Sequence, residues 1–161
     1  MKKENKKKAL FISSTGGHFS EMMMLKPMFE DFDYHIITEK TNTTKSLKET
    51  YGKKIDFLVY GTKDHKLSYP FKLLYNMFKS LVLFIKIRPD VIITTGTHTA
   101  VPMCYIAHLL KKKVVFIETF ANVTTKTMSG NMVYKIADLF VVQWEEMKQL
   151  YPNAVYLGGV F

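Results

Sequence analysis

The stretch Ile12-Ser13-Ser14-Thr15-Gly16-Gly17-His18-Phe19-Ser20-Glu21-Met22 constrains the fold of this chain more than any other. An apolar run, Ala9 to Ile12, precedes it and Met22-Met23-Met24-Leu25 follows, so it reads as strand, glycine turn, helix. A chain that leaves a strand and enters a helix within a few residues needs positive φ or close backbone approach, which Gly permits at little steric cost. The new helix offers free N–H groups and the positive end of its dipole to an anion, and a diphosphate is the obvious one. Ser14, Thr15, Gly16 and Gly17 are therefore candidate diphosphate-binding residues. His18 stands in the first helical turn, where the dipole disfavours protonation, so a neutral imidazole able to accept a proton is expected. The plainer alternative is a tight βα turn carrying an exposed His.

The chain has 161 residues, 47% of them hydrophobic and 14% aromatic, enough for one globular domain with a core. Lys plus Arg number 23 against 14 Asp plus Glu, a net charge of +9, yet Arg88 is the sole arginine. Nucleic-acid readers lean on Arg for bidentate contacts, so this balance suits an anionic membrane surface or diffuse phosphate attraction, and no nucleic-acid partner is expected. Cys104 stands alone in an apolar run and reads as a core residue in a cytoplasmic protein. Residues 1–8 form a Lys-rich basic tail. The apolar run behind it is too short for a signal peptide or a membrane span. The tail is either a solubilising end or a membrane-surface contact.

Strand-like runs recur at 34–38, 55–60, 91–95, 114–117, 138–142 and 154–157, separated by helical stretches at 18–30, 45–51, 71–87, 105–110, 130–137 and 144–151. Alternation without repeats implies an α/β fold with a doubly wound, mostly parallel Rossmann-like sheet over residues 9–161. The helix at 70–87 is unusual. Pro70 suits its first turn, and apolar residues cover much more than the arc of about 100° that a helix lying on a sheet requires. Lys72, Lys79 and Lys86 recur every seven residues and form one cationic stripe. At ~1.5 Å per residue, 71–87 extends about 25 Å with Lys79 mid-helix, which disfavours a span. A helix lying in a membrane interface with snorkelling lysines fits, as does burial against a partner chain.

A second glycine turn, Gly96-Thr97-His98-Thr99-Ala100-Val101-Pro102, follows the fourth strand, and Glu118 follows the fifth. Ligands of doubly wound sheets bind outside the carboxyl ends of the strands, where strand order reverses, so the two turns should form a crevice. His98 either faces a ligand there or is an ordinary residue at a helix start. No close His-x-x-x-His spacing links His18, His35, His65, His98 and His108, so no metal is expected.

Thr15-Gly16-Gly17-His18, the Gly-Thr turn after the fourth strand, the Glu after the fifth and Ile136-Ala137-Asp138 before the sixth together resemble the acceptor half of two-domain GT-B glycosyltransferases, among them the enzyme that makes peptidoglycan lipid II. The run Glu118-Thr119-Phe120-Ala121, the stretch Tyr134 to Glu146 and the terminal Tyr156-Leu157-Gly158-Gly159-Val160-Phe161 look like the PssD/CpsF group of capsule and exopolysaccharide proteins. Those are similar to the membrane-anchoring subunit of the eukaryotic two-chain transferase that adds the second N-acetylglucosamine to dolichol-diphosphate-N-acetylglucosamine.

The resemblance implies the N-terminal half of a GT-B fold that binds a polyprenyl-diphosphate-linked sugar on the inner face of the cell membrane. It also implies a small separate partner, similar to the C-terminal half, that holds most of a UDP-sugar donor; no further cofactor is implied. The chain stops where a GT-B linker would begin. The eukaryotic subunit has an N-terminal span that is not matched here, so attachment would fall to the helix at 70–87 and the tail. The expected reaction is an inverting transfer with His18, or alternatively Glu118, as base, and with Gly96, Thr97, His98 and Asn122 contacting the acceptor. Two other classes stay open: a non-catalytic anchor and enhancer of the partner, and a nucleotide-binding or epimerising Rossmann enzyme. The latter lacks Gly-x-Gly-x-x-Gly spacing and keeps only Glu39 as its acidic marker.

Overall fold

The apolar runs become strands because each is short, rich in β-branched and aromatic residues, and closed by Gly, Pro or polar residues. A computed structural model describes residues 6–61 and 69–160. Lys2 and Lys3 of the basic tail, His65 and Phe161 lie outside the described residues. Strands β1 (Lys8–Ile12), β2 (Asp33–Lys40), β3 (Ile55–Val59), β4 (Val91–Thr94), β5 (Lys113–Ile117), β6 (Leu139–Val142) and β7 (Val155–Tyr156) form one sheet in the order β3-β2-β1-β4-β5-β6-β7. Every pairing is parallel. The chain winds outward from β1 to β3, then jumps back to lay β4 against β1, so strand order reverses between β1 and β4.

Helices α3 (Tyr69–Ile87), α4 (Val101–Leu109) and α5 (Met128–Val133) cover one face of the sheet. Leu83, Phe84, Met103, Cys104 and Val133 pack there on Leu10, Ile12, Ile92 and Phe116. Helix α1 (Gly17–Met24) and a 3-10 turn at Lys26–Asp31 cover the other face, where Met22, Leu25 and Phe29 meet Phe11, Ile36 and Ile55. Helix α2 (Leu47–Tyr51) leads into β3. Burial pushes the Cys104 thiol up to about 12, as befits an inert core group.

Several elements differ from the sequence expectation: the helix expected at 130–137 is α5 at Met128–Val133, and the one expected at 144–151 is a 3-10 turn at Glu145–Gln149. The first helix ends at Met24 rather than near residue 30, because Pro27 cannot donate to the preceding turn and the chain tightens into 3-10 geometry. Helix α4 starts at Val101, with Pro102 in its first turn, rather than at Tyr105. Lys8, assigned to the tail, is already the first residue of β1, opposite Asp33 and with its N–H 3.1 Å from an Asp90 carboxylate oxygen.

Candidate functional site

Both glycine turns sit at the carboxyl end of the sheet, side by side, because β1 and β4 are neighbours. Gly16 has φ 76° and Gly96 φ 94°, conformations that a Cβ would strain. A Cβ at Gly16 or Gly17 would meet open space, so a ligand can approach this backbone closely. No side chain caps α1, leaving its first N–H groups free of intrahelical partners. A Cβ at Gly96 would instead touch Phe116 and the His18 ring at van der Waals distance, so the ring lies against the second turn.

The two turns are cross-tied. Ser14 N–H donates to Thr97 Oγ1 at 3.2 Å, and Thr97 N–H donates to Ser129 Oγ at 3.2 Å. Glu39, 1% exposed at the end of β2, accepts Thr99 Oγ1 at 2.7 Å on one oxygen, with Thr15 N–H 3.5 Å from the other. His98 Nε2 lies 4.0 Å from the same carboxylate and its side chain is 40% exposed. Glu39 is thus an internal strut between the turns and is not turned outward to a ribose, which removes the one mark that favoured a dinucleotide enzyme.

His18 is held from two sides. Its Nδ1 lies 3.0 Å from the Thr95 carbonyl, and Thr95 Oγ1 donates to the His18 carbonyl at 2.7 Å. A carbonyl only accepts, so Nδ1 carries the proton and neutral His18 presents its lone pair on Nε2. The side chain is 32% exposed, which leaves that edge within reach of a ligand. The Glu21 carboxylate, 3.6 Å from Nδ1, raises the imidazole pKa above its ordinary value, with burial pulling the other way and the Thr95 carbonyl adding to the rise. The sequence expectation weighed only the helix dipole, which disfavours protonation; a carboxylate one turn along the same face acts in the opposite direction. Burial pushes Glu21 itself upward, but His18, the Thr119 hydroxyl at 2.7 Å and the Phe120 N–H at 3.1 Å together hold it below the usual carboxylate range. Glu21 Oε2 is buried without a hydrogen-bond partner among the described residues.

Glu118 is differently placed from a base. It is 1% exposed, and it accepts Thr127 Oγ1 at 2.9 Å, Tyr151 OH at 3.1 Å and Thr119 N–H at 3.1 Å. Burial raises its pKa, with those donors opposing. Its work is to clamp the 118–127 loop to the start of α5 and to Tyr151. Thr97, 7% exposed, is likewise built into the wall of the crevice. Asn122 is half-buried and donates to the Thr125 carbonyl at 3.1 Å, folding its own loop rather than joining the turns. The structure therefore gathers Ser14 to His18 and Gly96 to His98 around one crevice, with Glu118 beneath its edge and Asn122 apart. Among the described residues no three His, Cys, Asp or Glu stand close enough to hold a metal.

Sequence reasoning missed Glu21, Ser129 and the Thr95 carbonyl. Glu21 had a signal, since its spacing of three from His18 puts both on one helix face. The other two had none.

A profile described as "Oligosaccharide biosynthesis protein Alg14 like" matches residues 9–160. The chain belongs to the Alg14-like family. Among curated members, the mouse UDP-N-acetylglucosamine transferase subunit ALG14 is 29% identical over 177 aligned positions, covering 94% of this chain and 82% of that protein. The Candida albicans subunit of the same name is 36% identical over 91 positions, 53% of this chain and 42% of that one. Among solved structures, MurG of Acinetobacter baumannii superposes with TM-score 0.74 at 16% identity over 95% of this chain and 45% of that one. A UDP-GlcNAc 2-epimerase of Methanocaldococcus jannaschii, solved with UDP-GlcNAc and UDP, gives 0.65 at 18% identity over 88% and 42%. The family member thus has the Rossmann-like α/β half of a GT-B fold and spans less than half the length of the solved structures it resembles.

Proposed function

We propose that this chain is the acceptor-binding, membrane-recruiting subunit of a two-chain inverting glycosyltransferase that uses a UDP-sugar and a polyprenyl-diphosphate-linked sugar. The finer assignment, to capsule or exopolysaccharide assembly on the cytoplasmic face of the membrane, rests on the PssD/CpsF resemblance. The observation that carries the reading is His18, with Nδ1 committed to the Thr95 carbonyl and Nε2 open beside the uncapped first glycine turn. In the proposed reaction an acceptor sugar hydroxyl gives its proton to His18 Nε2 as its oxygen attacks C1 of the donor sugar. The bond from C1 to the UDP oxygen breaks and UDP departs. Gly16 and Gly17 N–H groups hold the acceptor diphosphate by preorganised hydrogen bonds, and Glu21 keeps the imidazole oriented and basic. Curated relatives named as transferase subunits support a divided enzyme.

A second feature supports a partner chain. Parallel sheets are normally covered on both faces. Here β4, β5 and β6 turn Ile93, Val115, Leu139 and Val141 into an open groove of about 740 Å³, bordered by Lys111, Lys112 and Lys113. The test is to assay sugar transfer to a polyprenyl-diphosphate-N-acetylglucosamine with this chain, its purified partner and the mixture. Transfer is expected from the mixture, and His18→Ala should reduce it by about 10²–10⁴-fold with the pair still assembled. Full activity of the variant removes His18 from catalysis, and full activity of the partner alone reduces this chain to an anchor.

A further inference from the structure

A groove of about 820 Å³ lies between α3, α4 and α5. Leu74, Phe78, Leu109 and Met132 are among its walls, and the Tyr105 hydroxyl within it donates to the Met132 carbonyl at 3.0 Å. Its other polar lining comes from His98 and Ser129, which stand together at one end. That end is the second glycine turn, because Ser129 Oγ accepts the Thr97 N–H. The walls are open to solvent, with Leu74 66%, Leu109 76% and Met128 66% exposed. So much apolar surface facing water marks a binding site.

An occupant must be apolar along its length and polar at the single end that meets the crevice. We propose that the groove holds the first isoprene units of the acceptor's polyprenyl chain, its diphosphate lying at the glycine turns; this rests on the acceptor reading above. A volume within the range of about 300–1,000 Å³ typical of small-molecule pockets suits the head-proximal units and leaves the rest of the chain in the bilayer. The groove continues onto the exposed face of α3. At ~100° per residue, Phe71, Phe78 and Ile85 mark the centre of that face, Leu73 and Met77 lie on the groove side, and Lys72, Lys79 and Lys86 lie on the other. A tail can therefore pass from groove to lipid along Leu74 and Phe78 without crossing water. A helix of another protein would fill the same walls but has no reason to end at His98.

The test uses the whole chain in detergent-free, lipid-free solution and measures, by calorimetry, binding of farnesyl-diphosphate-N-acetylglucosamine and of its methyl-diphosphate counterpart. The farnesyl compound should bind about thirtyfold or more tightly than the methyl one. Leu109→Gln and Met132→Gln, at exposed positions outside the crevice, should erase that difference and leave the methyl compound's affinity unchanged. Equal binding of the two compounds overturns the groove assignment alone. Retention of the farnesyl preference in both variants also overturns it, as does concentration-dependent self-association that the variants abolish. Farnesol binding as tightly as the farnesyl-diphosphate compound supports the groove and overturns the acceptor reading. Failure of both compounds to bind overturns both readings.

Discussion

At the scale of single residues, His18 and Glu21 behave as one unit. The imidazole must be neutral to accept a proton, so transfer by the assembled pair should be lost as pH falls through a His18 pKa that lies above its ordinary value. Removing the carboxylate lowers that pKa. Glu21→Gln should therefore move the acid limb of the kcat/KM profile to lower pH, and an unmoved limb would disconnect Glu21 from the base. Gly130 makes a different prediction. A Cβ there would overlap the Glu118 carboxylate, the Tyr151 hydroxyl and Thr127 Oγ1, groups already bonded to one another. Gly130→Ala should cost about 1–3 kcal/mol in urea unfolding, or more if the clamp opens. The spacing of His18 and Glu21 was visible in the sequence. The Gly130 constraint was not, because the atoms that impose it arrive from three separate segments.

Among elements, α3 carries the clearest consequence. Asn76 fixes it to the sheet by bonding both the N–H and the carbonyl of Val59, at 2.9 and 2.8 Å. Its opposite side leaves Phe71 76% and Ile85 58% exposed, an apolar face flanked by lysines. No described helix is long and apolar enough to cross a membrane. An interfacial helix is what such a face serves. The double variant Phe71→Gln, Ile85→Gln touches neither the groove lining nor the core. It should weaken cosedimentation with anionic vesicles by roughly 10²–10⁴-fold, at about 1.5–3 kcal/mol for each of the two apolar side chains, with the melting temperature unchanged. Undiminished vesicle binding would assign the face to something other than lipid.

The molecule as a whole is lopsided. One face of the sheet is covered by α3, α4 and α5, whereas the other is covered over β1 and β2 and open over β4 to β6. This follows from the winding: right-handed crossovers put the helices after β1 and β2 on one face and those after β3, β4 and β5 on the opposite one. If a partner seats on the open half, Met28→Lys with Leu139→Lys should abolish its co-purification and leave unfolding of the lone chain unaltered. Both residues line that groove and are 42% and 39% exposed. Persisting co-purification would place the partner elsewhere.

The sequence by itself determined the strand count, the parallel sheet and the position of both glycine turns, because apolar runs, period and glycine punctuation are local properties. It overran the first helix only where Pro27 was overlooked. Tertiary structure alone decided which polar groups are partners. The Thr95 carbonyl that sets the His18 tautomer lies 77 residues away in sequence, and Glu118, which the sequence placed on the ligand side, turned inward to donors from the 118–127 loop and Tyr151. Periodicity specifies which face a residue occupies. Which lone pair meets which proton depends on how the crossovers bring the strand ends together, and β1 and β4 meet only after the chain has folded back on itself.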